Sequence, residues 1–160
     1  APVRIRAGAL GNARAMMVSP QHRFRVTGAA LAEATGLDEA FLRARFLPWL
    51  PGMAAHVAQR SRGVTYVHIL LDRHAVIFAE GAATEPLWPG PQALRSLRLA
   101  ERAELFALFP ELATLICLRA PEARRRLGEI YTPLARPELS ARDVRALMTA
   151  LDATSVPRVA

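Results

Sequence analysis

Apolar and charged residues alternate near the start of the chain and recur at helical spacing in its second half. Val3-Arg4-Ile5-Arg6 alternates strictly, the period-two signature of a half-buried strand, and Phe24-Arg25-Val26-Thr27 repeats the pattern before Gly28. Between them Gly8, Gly11 and Asn12 mark a turn ahead of a second short apolar run, Ala15-Met16-Met17-Val18. The strongest strand signal is Val64 to Leu71, β-branched and aromatic at its start. Asp72-Arg73-His74 and the apolar run Ala75-Val76-Ile77-Phe78-Ala79 follow it, and two such runs about a short polar turn predict a hairpin.

Leu31 to Leu47 supports two readings. Alanine, glutamate and leucine favour a helix, and Asp38-Glu39 would suit a helix start. Phe41, Arg43 and Arg45 also alternate with Leu42, Ala44 and Phe46 well enough for a strand.

The pattern changes at Pro86-Leu87-Trp88-Pro89-Gly90-Pro91, which can continue neither a helix nor a central strand. Beyond it Gln92 to Leu99, Ala100 to Phe109 and Glu111 to Leu118 carry leucine or phenylalanine at helical spacing. Pro110 and Pro121 fit the first turn of new helices, where a missing amide costs little. Ser140 is a good N-cap for Ala141 to Asp152, with Asp143 in the first turn. The expected organisation is a β domain over residues 1–90 and a helical tail over 91–160.

A chain of 160 residues is about one domain and needs no staples to bury a core. All 21 basic residues are arginine, a bias expected of a GC-rich bacterial genome, and the net charge is +7. Ten arginines precede Gly90 and eleven follow, so no basic tail forms. The cluster Arg124-Arg125-Arg126 shares its helix with Glu122 and Glu129, which reads as a solvated face, so nucleic-acid binding is not favoured. No stretch has the length and apolarity of a membrane span or a signal peptide. The lone Cys117 excludes an internal disulfide, and its apolar run places it in a core.

Chemistry is concentrated before Gly90, where all four histidines lie. Ser19-Pro20-Gln21-His22 sets a hydroxyl and an imidazole in one turn between two short strands. Together they could grip one peptide group, with His22 protonating a departing amide nitrogen. The plainer reading is a serine capping its own turn beside a partly buried histidine. His68, Asp72 and His74 share parity, but along one strand they span about 20 Å, too far for one metal ion. Asp72 capping the turn, with Arg73 and His74 facing solvent, is the alternative. Neither a phosphate loop nor a nucleophile elbow is present, and no metal or cofactor is called for.

Several blocks, in order, resemble a known family. They are Ile5-Arg6-Ala7-Gly8-Ala9-Leu10-Gly11, Val18-Ser19-Pro20-Gln21-His22-Arg23, Val64-Thr65-Tyr66-Val67-His68-Ile69-Leu70-Leu71-Asp72-Arg73-His74 and Phe78-Ala79-Glu80-Gly81-Ala82, with Thr84-Glu85 and Pro89-Gly90. The series resembles bacterial Hedgehog/intein-type (Hint) domains, in the alphaproteobacterial version, over about residues 3 to 90. The resemblance implies a mainly β fold of short curved strands and hairpins over about residues 3–85, followed by the α-helical tail. It also tips the segment from Phe41 to Leu47 towards a strand.

Hint domains cleave their own backbone: an N-terminal cysteine or serine attacks the preceding carbonyl, assisted by a Thr-x-x-His motif. By resemblance Ser19 stands for the threonine and His22 for the histidine, while His68, Asp72 and His74 inherit a supporting role. The implied substrate is the chain's own upstream polypeptide. No Cys-Phe-x-x-Gly-Thr block opens this sequence, and no His-Asn pair follows Glu80-Gly81, so splicing is not supported. The expectation is a piece of a longer protein, an autoprocessing domain without its nucleophile. The rival is a non-catalytic interaction module on the same scaffold.

Overall fold

The computed structural model describes residues 1–59 and 63–155, which divide into two compact units. The first comprises residues 1–67, 76–85 and 136–160; the second comprises 68–75 and 86–135. Packing thus does not follow the proline-rich break alone, because the last helix belongs with the first unit.

In the first unit, β1 (Val3–Ile5) is the middle strand of a three-stranded sheet between β2 (Met16–Val18) and β5 (Ala55–Val57), antiparallel to both. Alternation does what period two requires: Val3 and Ile5 are fully buried, and Arg4 points to solvent opposite Met17 and His56. A second sheet runs in the order β4 (Glu39–Arg43), β3 (Arg23–Thr27), β7 (Ala82–Thr84), β6 (Ile77–Ala79), again antiparallel throughout.

The ambiguous segment contains both predicted states. It holds α1 (Ala29–Thr35), then β4, then a 3-10 turn over Ala44–Trp49 with Pro48 inside it. Gly36 ends α1 in the left-handed conformation, and its amide closes on Ala32. The strand expected to reach Leu47 therefore stops at Arg43.

The expected hairpin about Asp72-Arg73-His74 does not form. Residues 64–71 make no regular strand: the carbonyl of Ile69 accepts from the Leu87 amide, and that of Leu71 from the Tyr131 hydroxyl. The true hairpin joins β6 to β7 through Glu80 (φ 54°) and Gly81 (φ 93°). Two consecutive left-handed residues give a two-residue turn whose twist matches the strands, a conformation that Asp72-Arg73-His74 does not adopt. The amide of Ala13 donates to the carbonyl of Glu80, and a Cβ on Gly81 would stand 3.0 Å from the carbonyl oxygen of Gly11.

The C-terminal α6 (Ala141–Ser155) closes this unit. As expected, the Ser140 hydroxyl accepts from the Asp143 amide at 3.2 Å, and the Asp143 carboxylate accepts from the Ser140 amide at 2.8 Å. α6 buries Val144 and Leu147 in one core with Leu31 of α1, Phe24 of β3, Leu42 of β4 and Ile5 of β1. Just before it, Phe41 donates its amide to Pro137 and accepts at its carbonyl from Leu139, making a parallel bridge to β4.

The second unit is helical: α2 (Pro91–Ser96), α3 (Leu99–Leu108), a 3-10 turn at Pro110–Ala113, α4 (Thr114–Cys117) and α5 (Ala120–Ile130). Leu94, Leu105, Leu112, Leu115, Leu127 and Tyr131 make its core. The antiparallel sheets belong to the first unit, and the described residues are 41% helical and 17% strand, so the β-rich character is seen only in part and helices dominate. Cys117 is exposed, contrary to the core reading. In a single helical turn it lies two residues beyond buried Leu115, on the opposite side. Arg124, Arg125 and Arg126 are exposed on α5, with Ala123 and Leu127 turned inward.

Candidate functional site

Ser19-Pro20-Gln21-His22 is a tight turn between β2 and β3, closed by the His22 amide donating to the Ser19 carbonyl at 3.0 Å. The Ser19 hydroxyl accepts from the Gln21 amide at 3.3 Å, which is the local serine turn. Two further backbone bonds hold the turn against the 3-10 segment: Ala44 donates to the His22 carbonyl and Arg45 to that of Pro20. The half-buried imidazole meets the Phe24 ring edge-on, with centroids 5.2 Å apart.

Thr84, at the end of β7 and 1% exposed, places its hydroxyl oxygen 2.5 Å from His22 Nε2. The same hydroxyl donates to the Arg23 carbonyl at 2.7 Å. A threonine has one hydrogen to give, so towards His22 it can only accept. With that hydrogen given to Arg23, the ring form that fits the contact is the one protonated on Nε2.

Charge surrounds this contact. Arg23, with its side chain only 12% exposed, is gripped on two sides. One terminal nitrogen donates to both oxygens of buried Glu85, at 3.0 and 2.9 Å, and its Nε donates to Glu138 at 2.9 Å. The backbone joins in: the Arg23 amide donates to Glu85 at 3.0 Å, and the Glu85 amide donates to the Arg23 carbonyl at 3.3 Å. Glu138 also pairs with Arg43, the residue directly across β4 from Arg23. Burial pushes the Glu138 carboxyl up, but hydrogen bonds and charge from Arg43 and Arg23 outweigh it and hold the carboxyl below its usual range. A second network on this face joins Glu39 to Arg25 at 2.9 Å and to Arg136, and Glu39 too is held below its usual range, chiefly by its bond to Arg25.

His68, Asp72 and His74 fall in the second unit, apart from Ser19 and His22 in the first. His68 and Asp72 are exposed, whereas His74 is buried, against the solvent-facing reading. Its amide donates to the Thr132 hydroxyl at 2.7 Å, and its Nδ1 accepts from the Ala135 amide at 3.0 Å. Among the described residues no cluster of three histidine, cysteine or acidic side chains could hold a metal ion. A groove of about 540 Å³ lies beside Arg4, Met17, His56 and Gln59, and its lining includes none of the groups around His22.

Thr84, Glu85, Arg23 and Glu138 were not singled out from the sequence as site residues. Thr84-Glu85 stands among the blocks that carry the resemblance, but no local spacing ties either residue to His22.

Residues 1–91 match the family model of the Hint domain. That is more than half of the chain, and the chain belongs to the Hint domain family. No curated protein and no solved structure matches it.

Proposed function

We propose that this Hint-family chain serves a self-cleaving reaction in which His22 protonates the leaving nitrogen of a scissile peptide. The observation that carries the reading is the Thr84–His22 contact, which holds the imidazole in a fixed place on the turn between β2 and β3. The nucleophile would be the N-terminal cysteine thiol or serine hydroxyl that Hint domains use.

The steps balance without a cofactor. The thiol sulfur bonds to the preceding carbonyl carbon and loses its proton. The carbon–nitrogen bond then breaks, and the nitrogen takes a proton from the His22 imidazolium. The neutral ring is recharged by the proton that the thiol released. The product is a thioester, open to water, a thiol or hydroxylamine. Ser19 shapes the turn that presents His22.

The test joins a Cys-Phe-x-x-Gly-Thr-type segment and a reporter peptide upstream of the chain. Cleavage at the cysteine, accelerated by hydroxylamine and abolished by His22→Ala, supports the reading. Cleavage at full rate in His22→Ala overturns the assignment of His22. An intact fusion favours the non-catalytic interaction module.

A further inference from the structure

We propose that Glu138, from the segment between the helical unit and α6, is a positioning residue for His22. It lies outside residues 1–91 that match the family model. The proposal rests on the self-cleavage reading for its catalytic consequence, but its structural content stands on contacts alone.

Arg23 and Arg43 are direct partners across β3 and β4. Side chains so placed have Cβ atoms about 5 Å apart, and like charges there repel. Glu85 grips Arg23, and Glu138 takes both arginines. Glu138 therefore bridges the two guanidinium ions at this end of the sheet. The same end holds His22: its carbonyl accepts from Ala44, next to Arg43, and Thr84 is held by the carbonyl of Arg23. When the Glu138 charge is lost, one arginine must swing away. That spreads the strand ends to which the turn and Thr84 are anchored.

Backbone contacts hold Glu138 in place. Phe41 brackets it, donating to Pro137 and accepting from Leu139, and Leu139 and Val144 are buried in the core beyond. The segment is thus a clasp that completes a site whose other parts lie within residues 1–91.

The test needs no nucleophile. In the whole chain with nitrogen-15 labelled histidine, the wild-type His22 ring should show a single tautomer protonated on Nε2. Glu138→Gln should mix the two tautomers, as Thr84→Val does, and adding Arg43→Gln should restore the single form by removing the repulsion. Val144→Ala loosens the same segment without touching a charge and should leave the tautomer unchanged. A wild-type pattern in Glu138→Gln, or mixing in Val144→Ala equal to that in Glu138→Gln, overturns the proposal. Should Glu138→Gln not fold, Glu138→Asp, which draws the carboxylate back from the two arginines, is measured instead, with partial mixing expected and a wild-type pattern overturning the proposal.

In the cysteine-bearing fusion, Glu138→Gln should slow cleavage about tenfold or more, with recovery in the double variant. Full-rate cleavage in Glu138→Gln, with none in His22→Ala, sinks the role of Glu138 and leaves self-cleavage standing. If the wild-type fusion stays intact, the self-cleavage reading and the catalytic consequence of Glu138 fail, and the tautomer measurement decides its structural role.

Discussion

The hydroxyl of Thr84 stands 2.5 Å from Nε2 of His22, a residue 62 positions earlier in the chain. Its single hydrogen goes to the Arg23 carbonyl, so the contact fits the ring protonated on Nε2.

Thr84→Val keeps the shape and removes both hydrogen bonds. Cleavage of the cysteine-bearing fusion should slow about 10- to 100-fold. The fold should lose about 1–3 kcal/mol, because the Arg23 carbonyl is left without that donor. Thr84→Ser should retain most of both. Rates read on a gel and a denaturant melt check the two halves, and a Thr84→Val fusion cleaving like wild type would remove threonine from the site.

The ion network makes the first unit acid-sensitive. Glu138 titrates lower in the folded chain than in the unfolded one, so its contribution is full above the ordinary glutamate range, about 4.3. It is lost as pH falls from there through the depressed folded value. Glu138→Gln should cost about 2 kcal/mol at neutral pH and make stability less steep across that acid window. Urea melts at several pH values measure both, and parallel curves for the two proteins would refute the pairing.

Shortening the chain to residues 1–135 removes α6 and the Glu138 clasp, exposing Leu31 and the core around it. The first unit should then melt at much lower temperature. Leu147→Ala in the whole chain should cost about 2–4 kcal/mol. A shortened chain with unchanged melting would mean that α6 adds nothing to this core.

Gly81→Ala meets both a positive φ and the Gly11 carbonyl oxygen at 3.0 Å, whereas Gly8→Ala meets the positive φ in open space. Gly81→Ala should therefore destabilise by about 2–3 kcal/mol and Gly8→Ala by about 1. Equal losses in thermal melts would argue against close packing of the β6–β7 turn on the loop.

Cys117 is exposed, so a thiol reagent should modify it in the folded protein as fast as a simple exposed thiol. Cys117→Ser should stay within about 0.5 kcal/mol of wild type. Protection from the reagent until the protein unfolds would return Cys117 to the core.

Local pattern was legible wherever neighbours in sequence decide the structure. Period-two alternation located β1 and β3, Pro110 and Pro121 opened helical turns, and Ser140 with Asp143 capped α6. The ordered blocks identified the family, and the Ser19–His22 turn stood out because its members are adjacent. Propensity failed at residues 64–71, where the backbone found partners other than a strand, and at Cys117, where one helical turn set the facing.

What surrounds His22 was decided only by the tertiary structure. Thr84 reaches it through sheet register, and Glu138 reaches Arg23 from 115 residues away, through a bridge to β4 and the burial of α6. Residue spacing encodes contacts one turn or one strand apart. It carries no signal for which distant carboxylate will neutralise two arginines, because that choice follows from the packing of the whole core.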